Sequence, residues 1–448
     1  MSDKYFFVGL GGSGMLPLAE IVKAGGAQVA GSDRAHDQGR TPEKFDALKT
    51  AGFALHPQDG SAIRPGQIVV ASAAIEDTVA DIARARELGL TRLTRAQLLA
   101  RLLNDAPVSV AIGGTSGKST VTGMTGWILA EAGLDPTIVN GAPMRNFGSA
   151  SRTGRGGGVF VSEVDESDGS ISLYRPTVGV VTNIALDHKP LPELRGLFSG
   201  FVSACQRPVV NGDDVESASL HGLRFGFGDD ADVRGSAVDE APGGIAFDVS
   251  HRGNAARVTL AVPGRHNAAN ALAAIAAAIA LDIPLTQAAA ALATYRGIAR
   301  RLEIVGKADG ITVIDDFGHN PDKIAATLAT LGAFPGRLLV FFQPHGYGPL
   351  KLMARELAES FARNLRPEDR LIVSDPAYFG GTTDKSIGSD ALTALVPNAE
   401  HIASRDDCGA RLIALAQPGD RIVVMGARDD SLTGFARGLL DTLAARNS

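Results

Sequence analysis

The sequence predicts an α/β protein with three domains. Short apolar strands alternate with helical patterns along most of the chain, which is typical of parallel sheets covered by helices on both faces. Two glycine-rich turns, at residues 9–14 and 113–117, each follow a strand and open a helix. The same pattern restarts near residue 106 and again near residue 300. At ~100–200 residues per domain, a chain of 448 residues accommodates three such units.

Composition excludes several classes of protein. Hydrophobic residues make up 45% and charged residues 21%, which is typical of a folded chain and not of a disordered one. The net charge of −6 argues against a general nucleic-acid binder, which needs an excess of positive charge. Cys205 and Cys408 are too few for a disulfide framework or a four-thiolate zinc site. Without a signal-peptide pattern or an apolar run long enough to span a bilayer, we expect a cytoplasmic protein with no membrane partner.

Residues 1–105 are predicted to form an N-terminal Rossmann-like domain. The predicted strands are at 5–8, 28–30 and 67–72, and the helices at 15–23, 81–88 and 95–103. Gly9, Gly11 and Gly14 fit the pattern G-x-G-x-x-G, with Asp33 about 20 residues further on. Such a loop brings backbone N–H groups close to a diphosphate at a helix N-terminus. The motif fits a dinucleotide, another diphosphate such as a UDP-sugar, or a turn that only packs helix against strand.

Residues 106–299 are predicted to form a central P-loop ATPase-type α/β domain with a β-rich insertion near 219–260. The predicted strands are at 108–112, 158–162 and 178–182, and the helices at 120–132 and 268–280. The turn Gly114-Thr-Ser-Gly117-Lys118-Ser119 matches only a compact form of the phosphate loop, because Ile112 stands where the strict pattern has its first glycine. Backbone N–H groups of such a loop hold phosphates, the lysine neutralises their charge, and the hydroxyl reaches Mg²⁺. An accidental Gly-Lys-Ser turn is the alternative.

Residues 300–448 are predicted to form a C-terminal Rossmann-like domain. The predicted strands are at 311–314, 338–342, 370–373 and 421–425. In the central domain, Asp165, Glu166 and Asp168 follow an apolar strand, where open α/β sheets carry their ligands. Taken alone, carboxylates in such a pattern are more often a solvated acidic turn, and a lone histidine such as His188 is more often a capping or hydrogen-bonded residue.

Several motifs, in order, resemble the Mur ligases, which build the peptide stem of bacterial peptidoglycan. The resemblance covers nearly the whole chain and is closest to the alanine-adding and tripeptide-recycling members. It rests first on Gly114–Ser119, which resembles the ATP loop of the family and is called the ATP loop below. Five further elements follow: Ser162-Glu-Val-Asp-Glu-Ser-Asp168, Thr182-Asn-Ile-Ala-Leu-Asp-His188, Gly264-Arg-His-Asn267-Ala-Ala-Asn270, Arg296-Gly-Ile-Ala-Arg300-Arg301 and Asp315-Asp-Phe-Gly-His319-Asn-Pro321.

The resemblance implies an ATP-dependent, ADP-forming ligase of peptidoglycan precursor synthesis. Such an enzyme joins an amino acid to the carboxylate of UDP-N-acetylmuramate through an acyl phosphate. It implies ATP and Mg²⁺ as cofactors, small-molecule substrates, no nucleic acid, and a monomer or homodimer. The N-terminal domain would bind the UDP-substrate, the central domain would bind ATP, and the C-terminal domain would bind the amine and close over ATP.

The resemblance also assigns site residues. The catalytic residues would be Lys118, His188, Arg300 and Arg301. ATP would be bound by Gly114, Thr115, Ser116, Gly117, Lys118, Ser119, Thr120, Asn267, Asn270 and Asp315. The UDP-substrate would be bound by Gly9, Gly11, Gly12, Ser13, Gly14, Asp33 and Ser72. The amine would be bound by His319 and His345, and the metal by Ser119, Glu166 and His188. Lys351 and Arg428 are added to the amine site from this sequence itself, as charges that could replace the family's arginines.

This chain departs from the family pattern mainly where the amine is expected. In the stretch Gln-Pro-His-Arg-Tyr-Ser/Thr-Arg of the alanine-adding enzymes, it has Gly346 and Pro349 in place of the arginines and Gly348 in place of the hydroxyl residue. Asn320 replaces a histidine, and Ala185 an acidic residue. A relative that uses a peptide, or another amine and acid, is therefore an alternative. A nicotinamide-dependent oxidoreductase and a non-catalytic nucleotide-binding scaffold are weaker ones.

Overall fold

A computed structural model describes residues 3–12, 14–73, 75–155, 158–186, 189–377, 386–427, 429 and 431–446. Ser13, His188 and Arg428 of the predicted sites lie outside these described residues. Within them the strands form three sheets, and helices alternate with strands in each, so the predicted α/β class with three domains is confirmed. No helix in the described part of the chain combines the length and the hydropathy needed to cross a membrane.

The N-terminal sheet is entirely parallel, with the order β3-β2-β1-β4-β5. Its strands are β1 (Lys4–Val8), β2 (Gln28–Ser32), β3 (Ala54–His56), β4 (Gln67–Ala71) and β5 (Arg92–Thr94), and its helices are α1 (Leu16–Ala24), α2 (Arg34–Asp37), α3 (Pro42–Thr50), α4 (Ala80–Glu87) and α5 (Arg95–Asn104). Tyr5 and Phe7 pack in one hydrophobic cluster, whereas Phe6 and Val8 pack in another. Because successive side chains of a strand point to opposite faces, this continuous apolar run reflects a sheet covered on both sides.

The central sheet has the order β15-β14-β13-β12-β11-β10-β6-β9-β7-β8. Its strands are β6 (Val108–Gly113), β7 (Thr137–Met144), β8 (Ser149–Arg152), β9 (Val159–Glu163), β10 (Val178–Val181), β11 (Arg207–Asn211), β12 (Leu223–Gly226), β13 (Val233–Ala241), β14 (Gly244–His251) and β15 (Asn254–Leu260), and its helices are α6 (Lys118–Glu131), α7 (Leu191–Ala204), α8 (Arg265–Ala280) and α9 (Leu285–Leu292). The predicted β-rich insertion at 219–260 corresponds to β12–β15. The parallel strands β10, β6 and β9 are adjacent, so their carboxyl ends meet at one edge around the ATP loop.

The C-terminal sheet has the order β16-β17-β21-β18-β19-β20. Its strands are β16 (Glu303–Ala308), β17 (Ile311–Asp316), β18 (Leu338–Gln343), β19 (Arg370–Val373), β20 (Ala399–His401) and β21 (Arg421–Gly426), and its helices are α10 (Pro321–Gly332), α11 (Tyr347–Asn364), α12 (Ser389–Thr393), α13 (Arg405–Leu415) and α14 (Ser431–Ala445). The edge strand β16 is antiparallel to β17 and the other pairs are parallel. The carboxyl ends of β17, β21 and β18 therefore lie side by side.

Residue contacts divide the chain into two compact units. One comprises Met1–Ala237, Asp248–Val258 and Ala269–Tyr295, and the other comprises Val238–Phe247, Thr259–Ala268 and Arg296–Ser448. The first unit holds the N-terminal glycine loop and the ATP loop together. The second holds the sheet on which the predicted amine site lies.

Candidate active site

The first glycine loop is anchored by Asp33. The Asp33 carboxylate accepts a hydrogen bond from Gly11 N at 2.8 Å and another from Ala35 N at 2.8 Å. Asp33 is 9% exposed and caps the N-terminus of α2. In a dinucleotide site of this class, the corresponding acidic residue binds the ribose hydroxyls. Here one carboxylate oxygen holds the loop and the other caps α2, so part of the accepting capacity of Asp33 is already used.

The loop favours glycine through backbone conformation at Gly9 and through close neighbours at Gly11 and Gly14. Gly9 has φ of +83°, a left-handed conformation that disfavours side chains. A Cβ on Gly11 would lie 3.0 Å from Asp33 Oδ2, and one on Gly14 would lie 2.9 Å from Arg95 Cδ. Gly12 N donates to Gly9 O at 3.0 Å, which tightens the turn. Ser72 directly follows β4, the neighbour of β1, so it lies at the same sheet edge as the loop.

The ATP loop is fixed by the two residues that follow β10. Gly114 has φ of +135°, and a Cβ there would lie 1.9 Å from Thr182 Oγ1. Thr182 Oγ1 donates to Ser116 O at 2.6 Å. Thr115 Oγ1 donates to Asn183 Oδ1 at 2.6 Å, and Ser116 N donates to the same oxygen at 3.0 Å. The Thr-Asn pair at this strand end therefore sets the loop's shape.

The end of the ATP loop is the beginning of α6. Gly117 caps this helix with φ of +83°, and Lys118, Ser119 and Thr120 form its first turn. The first N–H groups of a helix have no partner within it and attract anions, so this turn suits a phosphate group. A Cβ on Gly117 would lie 2.6 Å from Asn270 Oδ1, so Asn270 of α8 borders the loop.

Lys118 and Ser119 are each paired with a different glutamate. Lys118 Nζ donates to Gly114 O at 2.6 Å and contacts Glu166 Oε2 at 2.9 Å. Ser119 Oγ donates to Glu163 Oε2 at 2.7 Å. Glu163 ends β9, directly beside β6. Thus the glutamate that contacts the predicted metal-binding hydroxyl is Glu163, whereas the predicted ligand Glu166 contacts the lysine.

The donor set around Ser119 fits a magnesium ion. Mg²⁺ is bound in nucleotide sites by one or two protein oxygens together with phosphate oxygens and waters. The Ser119 hydroxyl and the Glu163 carboxylate, in mutual contact beside the loop, supply such oxygens. Within the described ranges no three His, Cys, Asp or Glu side chains converge to hold a metal, so phosphate and water would complete the shell.

Asp165 is held in its charged form. Burial would raise the pKa of its carboxyl, but hydrogen bonds from Ser167 and the positive charges of Lys118 and Arg95 together lower that pKa. Asp165 Oδ1 accepts a hydrogen bond from Ser167 N at 2.9 Å. The acidic motif is therefore an ordered turn beside the ATP loop.

The two predicted asparagines of α8 have different surroundings. Asn267 is 4% exposed, and its side-chain amide donates to Pro263 O at 2.7 Å, so it stabilises the turn before the helix. Asn270, one turn further, borders Gly117. The geometry therefore supports nucleotide contact at Asn270 more strongly than at Asn267.

Arg300 and Asp315 form a buried pair in the C-terminal sheet. Arg300 Nε lies 3.3 Å from Asp315 Oδ1, and its other nitrogens donate to Gly426 O at 2.7 Å and Asp429 O at 3.1 Å. Asp315 is fully buried and also accepts from Thr433 Oγ1 at 2.9 Å. Burial raises the pKa of the Asp315 carboxyl, and the Arg300 charge opposes that shift. This packing favours a structural role for both residues over direct contact with ATP.

Arg301 is the more available of the two arginines. It is partly exposed, and its guanidinium lies 5.1 Å from the centre of the Phe317 ring. His319 also packs edge-on against Phe317, with the two ring centres 5.4 Å apart. A cation over an aromatic face is held by the ring quadrupole without losing its hydrogen-bonding edges. Arg301 therefore keeps a charge near the predicted amine site.

His319 and His345 face each other at the ends of β17 and β18. Their ring centres are 5.1 Å apart and nearly perpendicular. Nδ1 of His319 donates to Phe317 O at 2.9 Å, because a carbonyl oxygen only accepts. Burial, with added repulsion from Lys323, His345 and Arg301, lowers the pKa of His319 to about 4. His319 is therefore neutral at pH 7, with Nε2 available as an acceptor.

The departures from the family's arginine stretch lie at the start of α11. Gly346 caps this helix with φ of +137° and ψ of 159°, a conformation suited to glycine. Gly348 and Pro349 follow in the first turn, and Lys351 is exposed one turn along the helix. Beside them, Gln343 Nε2 donates to Asp429 Oδ2 at 2.8 Å, and Arg405 contacts the same oxygen at 3.0 Å. This ion-paired network was not predicted.

Together, the glycine loop, the phosphate loop with its Lys–Glu pair, and the three α/β sheets define a nucleotide-binding enzyme of the P-loop type. Three family models match the chain: "Mur ligase family, catalytic domain" at residues 4–106, "Mur ligase middle domain" at 112–278, and "Mur ligase, glutamate ligase domain" at 300–428. The chain belongs to the Mur ligase family.

Individual relatives agree with this membership. A UDP-N-acetylmuramate–L-alanine ligase from Geotalea uraniireducens is 34% identical over 445 residues, which is 95% of each chain. Among solved structures, a UDP-N-acetylmuramate–alanine ligase from Thermotoga maritima superposes with a TM-score of 0.79 at 24% identity, covering 99% of both chains. A murein peptide ligase from Psychrobacter arcticus superposes with a TM-score of 0.68 at 24% identity, also covering 99% of both. The two structures share the fold of this chain.

Proposed function

We propose that this protein is an ATP- and Mg²⁺-dependent ligase that joins an amino acid to the carboxylate of UDP-N-acetylmuramate. The observation that carries the proposal is the arrangement around the phosphate loop, where Lys118 and Ser119 each contact a glutamate at the carboxyl edge of the sheet. Relatives named as L-alanine ligases of this substrate, aligned over 95% of the chain, support the substrate assignment.

The chemistry follows from the poor reactivity of a carboxylate toward an amine. The substrate carboxylate takes the γ-phosphoryl group of ATP, ADP leaves, and the amine then attacks the acyl phosphate and expels phosphate. Catalysis of phosphoryl transfer consists mainly of positioning and charge neutralisation. Lys118 would neutralise the phosphates after leaving Glu166, and the N–H groups at the start of α6 would bind their oxygens. Ser119 and Glu163 would hold Mg²⁺, which supplies Lewis-acid charge to the phosphates; Glu166 and His188 remain further candidates for that role.

The three predicted domains divide this work. We infer that the loop at Gly9–Gly14 binds the diphosphate of the acid substrate, residues 106–299 bind ATP, and residues 300–448 bind the amine. His319 is the proposed amine contact, since Nε2 of its neutral ring can accept a hydrogen bond from an N–H group of the amine. Arg301, rather than Arg300, is the proposed charge that acts on phosphate. Because ATP and a nucleotide sugar are cytoplasmic metabolites, we propose that the protein acts there.

A second candidate function is ligation of a peptide instead of a free amino acid. It is favoured by one specific feature, the replacement of the two arginines of the family stretch by Gly346 and Pro349. A murein peptide ligase shares the fold of this chain over its full length.

The proposal is tested by measuring phosphate release from ATP by purified protein. Release that requires Mg²⁺, UDP-N-acetylmuramate and an amine together is the expected result. A panel of L-alanine, glycine, L-serine and a muramyl-type tripeptide separates the two candidate functions. ATP hydrolysis that ignores both the acid and the amine would contradict the ligase assignment.

A further inference from the structure

Arg95 lies directly against the N-terminal glycine loop. A Cβ built on Gly14 would lie 2.9 Å from Arg95 Cδ and 3.5 Å from its Nε, so the arginine side chain runs across the face of that glycine. Arg95 is the first residue of α5, and its backbone is fixed by a reciprocal capping pair between Thr94 and Gln97. The side chain therefore leaves a rigid helix end and crosses the loop.

Arg95 also lies close to the ATP-binding domain. Helix α5, which begins at Arg95, packs against β9 and against the 3-10 turn Ser170–Leu173 of that domain, and the positive charge of Arg95 opposes the burial-driven rise of the pKa of Tyr174. Asp165 belongs to the acidic turn after β9, beside Lys118. Arg95 thus sits where the glycine loop of one domain meets the acidic turn of the next, within the same compact unit.

Arg95 differs from the arginines around it in having an unused hydrogen-bonding edge. Arg92 pairs with Asp77 at 3.2 Å, and Arg101 pairs with Asp3 at 3.6 Å. Among the described residues, the side chain of Arg95 makes no hydrogen bond or ion pair, although it is partly buried. A partly desolvated guanidinium is a strong, planar donor to oxyanions such as phosphate and carboxylate.

We propose that Arg95 binds the acid substrate. Its guanidinium donates hydrogen bonds to one of the substrate's oxyanions, at the place where the glycine loop meets the ATP-binding domain. The inference rests on the proposed function, because that function supplies an acid with two oxyanions in this region. One is the diphosphate at the glycine loop, and the other is the carboxylate that receives the phosphoryl group. An arginine can donate hydrogen bonds to either the diphosphate or the carboxylate, and the experiment below determines which of the two Arg95 binds.

The test compares Arg95→Gln and Arg95→Lys with wild-type protein, and Arg92→Gln, on the same domain surface, is the matched control. Calorimetric titration with UDP-N-acetylmuramate and with UDP-N-acetylglucosamine, which lacks the carboxylate, gives the affinities. Steady-state kinetics give KM for the acid and for ATP. We expect Arg95→Gln to weaken binding of UDP-N-acetylmuramate at least tenfold, with KM for ATP within twofold, and Arg95→Lys to recover part of the loss.

The two sugars identify which oxyanion is bound. Equal weakening for both sugars assigns Arg95 to the diphosphate, and weakening for UDP-N-acetylmuramate alone assigns it to the carboxylate. Wild-type affinity and KM for the acid in both variants, or an equal rise in KM for ATP, would overturn the inference while leaving the ligase function intact. A wild-type protein that binds neither sugar would overturn the proposed function itself.

Discussion

Lys118 Nζ lies 2.9 Å from Glu166 Oε2, so the lysine of the phosphate loop is held by a carboxylate that is 3% exposed. Such a pair keeps the lysine charge in place and oriented before any nucleotide arrives. The phosphates of ATP carry more negative charge than one carboxylate, so the lysine would exchange partners when ATP binds. The ion pair therefore holds the lysine of the phosphate loop in position before ATP binds.

Replacing this lysine should remove ATP turnover without unfolding the protein. Lys118→Ala deletes the charge that neutralises the phosphates. Because the Lys118 side chain is only 20% exposed and pairs with the buried Glu166, its removal also leaves that carboxylate without its partner and lowers stability. Phosphate release should fall by at least a hundredfold, with thermal unfolding at a lower temperature than wild type but still cooperative. Lys49→Ala, at an exposed position on α3, is the control. Wild-type-like phosphate release by folded Lys118→Ala protein would contradict the ATP-loop assignment.

Magnesium dependence should separate the two glutamates. Because Glu163 contacts Ser119 Oγ at 2.7 Å and Glu166 contacts Lys118, Glu163→Gln should raise the Mg²⁺ concentration required for half-maximal activity more than Glu166→Gln. The expected difference is about tenfold, as for the loss of one charged ligand interaction worth roughly 1.5 kcal/mol. Activity titrations with MgCl₂ at saturating ATP provide the measurement. A larger shift for Glu166→Gln would restore Glu166 as the principal ligand.

The N-terminal loop should bind a uridine diphosphate and not a nicotinamide dinucleotide. The Asp33 carboxylate already accepts from Gly11 N and Ala35 N, so fewer of its accepting sites remain for a ribose hydroxyl. Calorimetry with UDP-N-acetylmuramate should give clear binding, whereas NAD(H) and NADP(H) should give none. Clear dinucleotide binding, with no response to the UDP-sugar, would instead favour the oxidoreductase alternative.

The sequence predicts the fold better than it predicts the site. The glycine loops and apolar runs predict the parallel sheets, because a strand buried on both faces is apolar throughout, as in Leu338–Gln343. Strand β16 escapes this logic, since it is a partly exposed edge strand. The proposed roles of Glu163 and Arg95 could not be predicted from the sequence. That of Glu163 depends on strand order, and that of Arg95 depends on contacts between domains. The adjacency of β9 and β6 is the signal that identifies Glu163.

The free energy of unfolding of the C-terminal domain should fall as the pH is lowered from 7 to 5, because buried His319 stays neutral in the folded state over this range. Burial lowers the pKa of His319 to about 4, whereas a histidine in the unfolded chain has a pKa of about 6.5. Between these values the unfolded state binds more protons, so the free energy of unfolding decreases as pH falls. From pH 7 to pH 5 the loss should be on the order of 1–2 kcal/mol.

His319→Gln tests this, because glutamine does not titrate. The difference in stability between pH 7 and pH 5 should be smaller in His319→Gln than in wild type, measured by urea unfolding. His221→Gln, at an exposed position in the other compact unit, is the control. An identical pH dependence in wild type and His319→Gln would show that His319 is protonated without penalty.

The preference for free L-alanine should be weaker than that of an ordinary alanine-adding ligase. The arginines expected from the family are Gly346 and Pro349, and loss of one charge-assisted contact with a carboxylate costs on the order of 1.5–3 kcal/mol, or roughly tenfold to a hundredfold in binding. The measurement is kcat/KM for L-alanine, glycine, L-serine and a muramyl-type tripeptide. The space at Gly346 and Gly348 should favour the larger amine.

Restoring an arginine should work at only one of the two positions. Gly346 has φ of +137°, so Gly346→Arg would add strain of about 1–3 kcal/mol at the cap of α11. Pro349 lies in the first turn of the helix, and its Cδ is 3.6 Å from a Cβ built on Gly346. An arginine at 349 therefore starts close to the missing group in ordinary helical backbone. Pro349→Arg should raise kcat/KM for L-alanine, whereas Gly346→Arg should lower stability. An exclusive preference of the unmodified protein for L-alanine would show that these arginines do not set the amine specificity of this chain.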